Sequence, residues 1–175
     1  MKVLLISPPT RSVVKEVVGT AGPPLGLAYL AAVAREAGWE PMIIDGLTED
    51  LTPSELEDRI RKFQPDVVGL TATTPAIYDA YEAARIAKRV NPNALVLIGG
   101  PHATFTADEV LRECEQIDIV VMGEGEETFK EILDRFEKEN YYGTYCWAGG
   151  AFLLRPSEID RPITVKPNVY YYSEL

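Results

Sequence analysis

Apolar residues along the chain gather into short, nearly continuous runs separated by longer stretches with helical spacing. Five runs rich in Val, Leu and Ile stand out: Lys2–Ser7, Glu40–Asp45, Asp66–Thr71, Ala94–Gly99 and Ile117–Met122. A run with little polar alternation suits a strand covered on both faces, because neither face is left to water. Between the runs, the spacing predicts helices near 25–37, 53–63, 76–90, 106–113 and 126–138. Their ends carry chemical signals. Thr52 precedes Pro53 and Glu55, a cap residue before a first-turn proline with an acid following. Thr106-Ala107-Asp108-Glu109 reads as a capping box, and Gly38 after Ala37 as a helix C-cap.

Strands alternating with helices predict an α/β fold with a parallel sheet. Five βα units in this length fit a flavodoxin-like (Rossmann-like) doubly wound, five-stranded parallel sheet in the order 2-1-3-4-5. The expected α/β domain covers residues 1–140. Beyond it, Tyr142–Trp147, a glycine turn at Ala148-Gly149-Gly150 and Ala151–Arg155 read as a β-hairpin extension over 141–155. Residues 156–175 hold Pro156, Pro162 and Pro167 without helical period, and read as an extended connector.

Composition narrows the function. The chain has 175 residues, 46% hydrophobic and 25% charged, as one globular domain does. Its formal net charge of -10 repels phosphate backbones and anionic lipid, so neither nucleic acid nor membrane is an expected partner. The apolar start, Met1–Ile6, is too short for a signal peptide and stops at Ser7-Pro8-Pro9, so a cytoplasmic location is expected. Cys114, Cys146 and His102 cannot supply four ligands to a structural zinc.

In an open α/β sheet the ligand edge is the carboxyl end of the strands. The loops there are Ser7-Pro8-Pro9-Thr10, Thr71-Ala72-Thr73-Thr74-Pro75, Gly99-Gly100-Pro101-His102-Ala103-Thr104 and Gly123-Glu124-Gly125-Glu126-Glu127-Thr128. Small residues let a large flat ligand approach the backbone, although Gly and Thr also serve such loops as turns and caps. A dinucleotide would require Gly-x-Gly-x-x-Gly after strand 1, where Ser7-Pro8-Pro9 stands instead. Glu124, Glu126 and Glu127 oppose a phosphate and suit the positive end of the following helix. A flavodoxin phosphate loop is poorly matched by Thr10, Arg11 and Ser12 between prolines and Val13. A phospho-receiver would need acids where Ser7 and Thr71 are found.

Four segments together resemble the cobalamin-binding domain found in front of radical S-adenosylmethionine (SAM) enzymes. They are Pro23-Pro24-Leu25-Gly26-Leu27-Ala28-Tyr29-Leu30-Ala31-Ala32 with Gly38, then Asp66–Thr71, Gly99–Thr104 and Gly123–Phe129. The resemblance runs over about residues 1–138, in order and with the usual spacing. It implies a corrin ring over the carboxyl edge of the sheet and a nucleotide tail beside the strands. By position, Thr71, Thr73 and Thr74 line the tail or ring, Gly99 and Gly100 let the tail pass, and Gly123, Glu124 and Gly125 close the far side. Pro9, Thr10, Gly26, Pro101 and His102 complete the implied cofactor-binding set.

Other cobalamin proteins carry Asp-x-His-x-x-Gly after strand 1, with the histidine on cobalt. Here that loop holds no histidine, so the resemblance implies base-off cobalamin without a protein imidazole on the metal. His102, in a different loop, suits a surface or amide-contacting role. Radical SAM enzymes bind [4Fe–4S] through Cys-x-x-x-Cys-x-x-Cys, and two cysteines 32 residues apart cannot do so. They read as ordinary buried thiols. SAM and the cluster are therefore expected on a missing domain in cis or on a partner in trans. The chain is read as a cofactor module of a cobalamin-dependent radical SAM methyltransferase or related enzyme, with the proline-rich connector leading to the rest. The alternative is a cofactor-free flavodoxin-like docking or regulatory module.

Overall fold

The computed structural model of the protein describes residues 1–9 and 22–137, with the backbone of two short strands at 151–154 and 170–171. Five strands are parallel: β1 (Lys2–Ser7), β2 (Glu40–Asp45), β3 (Val67–Thr71), β4 (Leu95–Gly99) and β5 (Ile119–Met122). Their order is β2-β1-β3-β4-β5, as the sequence predicts. The sheet then continues, with β6 (Ala151–Leu154) antiparallel to β5 and β7 (Tyr170–Tyr171) parallel to β6. The strand expected at Ala151–Arg155 thus pairs with β5, while the other hairpin arm, 142–147, lies outside the described residues. Within the expected connector, Tyr170–Tyr171 forms a strand.

Helices cover both faces. α1 (Leu25–Glu36) and α7 (Glu126–Glu137) cover one. The other lies under α3 (Pro53–Phe63), α4 (Ile77–Val90), α5 (Pro101–Phe105) and α6 (Ala107–Glu113), and α2 (Gly46–Glu49) is a single turn after β2. Strand alternation divides the core accordingly. Leu4, Ile6, Val68, Val96 and Ile98 meet Ile60, Tyr81, Ile86 and Val110 on the α3–α6 face. Val3, Leu5, Val67, Leu95 and Leu97 meet Leu27, Ala31, Phe129 and Ile132 on the α1–α7 face.

The amino ends of the strands are fastened by carboxylates. The Lys2 N–H donates to Asp66 Oδ2 at 2.7 Å, and the Val96 N–H to Asp118 Oδ2 at 2.7 Å. Asp118 is 6% exposed and also takes the Lys88 ammonium at 2.7 Å. A buried carboxylate is tolerable there because both a backbone donor and a cation answer it. β3 and β5 begin just after these residues, later than their apolar runs suggest.

Two cap expectations divide. Thr52 and Glu55 form a reciprocal capping box at the start of α3. Thr106 forms none: α5, which the apolar pattern did not predict, ends at its doorstep, and the Thr106 hydroxyl donates to the His102 carbonyl at 2.8 Å. A hydroxyl turned back to the preceding helix is no longer available to the next one. Gly38, with φ +85, follows the C-cap Ala37 and allows the left-handed exit to Trp39. Cys114 is buried, with its thiol 3.9 Å from the Tyr81 carbonyl oxygen, and Cys146 lies outside the described residues. Among the described residues no helix is long and apolar enough to cross a membrane.

Candidate functional site

A cavity of about 260 Å³ opens at the carboxyl ends of β3, β4 and β5, on the α1–α7 face. Its sheet wall follows from register. Gly69 stands opposite Leu97, and one level nearer the mouth Thr71 stands opposite Gly99. Gly99 lies against Val121, whose carbonyl oxygen is 3.5 Å from the position a Cβ would take on that glycine. The helical wall is Gly26, Leu27 and Leu30 from α1, and Glu126 and Phe129 from α7. Gly100, Gly123, Glu124 and Gly125 form the rim.

Glycine is needed at two of these positions for different reasons. Gly100 has φ +96, and a Cβ on it would lie 2.7 Å from Thr71 Oγ1 and 2.9 Å from the Ala72 carbonyl oxygen. Only a residue without a side chain lets the β3 and β4 loops close on each other there. Gly69 sits mid-strand, where a Cβ would meet Leu5 Cδ2 at 2.7 Å. Leu5 occupies the space its side chain would take, and the sheet wall stays low at that level.

The loops are stitched across one another by small polar groups. Thr104 Oγ1 donates to the Gly100 carbonyl at 3.0 Å and accepts from the Gly123 N–H at 3.1 Å. His102 Nδ1 lies 3.1 Å from Thr74 Oγ1, and the His102 N–H donates to the Ala72 carbonyl at 3.2 Å. The imidazole thus joins the β4 loop to the β3 loop.

No Lys, Arg or His side chain lines the cavity among the described residues, whereas Glu124 and Glu126 do. The walls suit an apolar or amide-bearing ligand, and the rim offers acceptors for N–H donors. Among the described residues no group of three or more His, Cys, Asp or Glu is placed to hold a metal ion.

Of the residues singled out in the sequence, Gly26, Thr71, Gly99, Gly100, Gly123, Glu124 and Gly125 line the cavity. Thr73 and Thr74 follow β3 and Pro101 and His102 open α5, and none of the four is in the lining. Pro9 packs instead at the start of α2, where a Cβ on Gly46 would be 2.8 Å from its nitrogen. Thr10 lies outside the described residues. Sequence reasoning missed Leu27, Leu30, Gly69, Leu97, Val121 and Phe129, which it read as core or helix face. The available signal was Gly69, alone inside an apolar strand.

Residues 11–133 match the B12 binding domain family. An uncharacterized methyltransferase of Pyrococcus horikoshii is 59% identical over 138 residues, covering 79% of this chain and 30% of that protein. The anaerobic magnesium-protoporphyrin IX monomethyl ester cyclase of Cereibacter sphaeroides is 37% identical over 160 residues, covering 91% of this chain and 26% of that protein. The chain therefore spans less than a third of these relatives. A solved structure of the cobalamin-dependent SAM radical enzyme OxsB, with aqua-cobalamin and SAM bound, superposes with a TM-score of 0.66 at 18% identity. It aligns over 79% of this chain and 19% of OxsB, and the likeness extends to the fold. With residues 11–133 matched and the sheet order in agreement, the chain belongs to the B12-binding domain family.

Proposed function

We propose that the chain binds cobalamin as the cofactor module of a radical SAM methyltransferase or related enzyme. The corrin would lie over the carboxyl edge of β3–β5, with its nucleotide tail in the cavity. The observation that carries this reading is the cavity's form: an apolar slot between sheet and helices that opens under a rim of glycines. Such a slot accepts a narrow tail, while the small-residue rim allows a broad ring to approach the backbone. The residues present fit the group on that ground.

Cobalamin, when bound, supplies a cobalt centre able to take up a methyl group and release it to an acceptor. The chain's own contribution is to hold, orient and dry. Gly99 and Gly100 leave the passage open. Leu27, Leu30 and Phe129 exclude water from the slot, and the Thr71 hydroxyl offers a hydrogen bond near its mouth. Glu124 and Glu126 accept hydrogen bonds from amide N–H groups on the rim of the ring. Thr73, Thr74, Pro101 and His102 surround the ring from the adjoining loops. SAM and a [4Fe–4S] cluster would then belong to a radical SAM domain, in the same polypeptide or in a partner.

Incubation with hydroxocobalamin followed by desalting tests the reading. Retained corrin absorption is expected; its absence favours a cofactor-free docking module. The cobalt is proposed to be base-off and free of protein imidazole, supported by the lack of histidine in the sequence after β1 and by the place of His102 outside the cavity lining. Paramagnetic resonance of the Co(II) form is expected to lack imidazole superhyperfine coupling. A coupling that disappears in His102→Ala would overturn that assignment.

A further inference from the structure

We propose that the cavity floor discriminates between corrinoids by their lower base, favouring an apolar benzimidazole over a purine. The inference rests on the cobalamin reading above and deepens it. The register sorts the sheet wall into levels. At the deepest, Gly69 stands opposite Leu97; at the next, Thr71 stands opposite Gly99. The polar side chains of the lining are Thr71, Glu124 and Glu126. Thr71 ends β3, Glu124 follows β5 and Glu126 begins α7, so all three stand toward the carboxyl edge.

The floor is carbon. Leu97 is buried in the α1–α7 core with Leu27 and Phe129, and Leu30 packs against the same cluster. Gly69 exposes no side chain, and the space beneath it is taken by the Leu5 methyl. The peptide groups of β3 and β4 are paired in the ladder between the strands, so they offer little to a ligand. A benzimidazole carrying methyl groups meets like with like there. An adenine brings an exocyclic amine and extra ring nitrogens, which lose water on entry and find no partner at that depth. A buried donor left unpaired weakens binding by roughly tenfold or more.

Absorbance titration of the 175-residue chain with three corrinoids tests this. They are cobalamin, whose base is dimethylbenzimidazole, its adenine-based counterpart, and cobinamide, which lacks the nucleotide. Cobalamin is expected to bind about tenfold or more tightly than the adenine form. Leu97→Gln, at the deepest level of the sheet wall, provides an amide for the amine and is expected to narrow the ratio. Leu97→Met is expected to preserve it, and circular dichroism checks that both variants fold. Equal affinity for the two bases, a preference for adenine, or a ratio unmoved in folded Leu97→Gln overturns the proposal and leaves cobalamin binding standing. Failure of all three corrinoids to bind, cobinamide included, overturns the cobalamin reading and the inference with it.

Discussion

The two faces of the sheet are made by alternate residues of the same strands, yet one is solid and the other is hollow at its end. Under α3–α6, Val68 and Leu70 of β3 are buried among Ile98, Ala80 and Tyr81. Under α1 and α7 the intervening residue is Gly69, and the cavity lies above it. Polar groups follow the same division. On the solid face the buried Tyr81 hydroxyl donates to Glu113 at 3.1 Å. On the other, Trp39 Nε1 and, on α7, Thr128 Oγ1 are buried without a hydrogen-bond partner among the described residues. One face has been optimised for cohesion, and the other has given up some cohesion to leave room.

The comparison breaks most visibly if the solid face is hollowed. Ile98→Ala removes a side chain with no exposed surface from β4, and a loss of about 2–5 kcal/mol is expected in urea denaturation. Filling the hollow face is the converse change. Gly69→Leu overpacks against Leu5, should cost about 1–3 kcal/mol, and should abolish retention of the corrin even where the variant is folded. A preserved corrin signal would place the tail elsewhere.

Gly26→Leu sharpens the contrast by separating stability from binding. No atom lies within 4 Å of a Cβ built there, so stability should change by less than about 1 kcal/mol. The added side chain stands at the cavity wall, and retained corrin absorption should fall markedly. The smallest effect concerns the outer surface of the solid face. Arg89, and then Arg61, hold the Glu57 carboxyl below its usual range. Its contribution to stability is thus present above the ordinary carboxylate range and is lost as pH falls through the lowered folded value. Glu57→Gln should flatten that part of the acid denaturation profile and leave corrin retention unchanged.

Much of this was legible in the sequence. Continuous apolar runs identify strands covered on both sides, and Thr52-Pro53-Ser54-Glu55 marks a helix start that the structure reproduces. Gly99, Gly100, Gly123 and Gly125 of the rim were singled out through the ordered set of motifs, since by their own chemistry Gly and Thr also serve such loops as turns and caps. The cavity walls were not. Leu27, Leu97 and Phe129 carry the same chemistry whether they fill a core or border a void, and periodicity cannot tell the two apart. The short α5 escaped as well, since five residues show no helical period, and its presence turned Thr106 from a cap into a partner of His102.

Thr104 has a consequence for tolerance. One hydroxyl fixes the separation of the Gly100 and Gly123 loops by donating to one and accepting from the other. The aperture over the slot is therefore gauged by two hydrogen-bond lengths that share a single oxygen, and widening it means breaking at least one of them. A serine keeps that gauge and a valine of the same shape discards it. An opening built this way has a set width at rest, and that width depends on one hydroxyl.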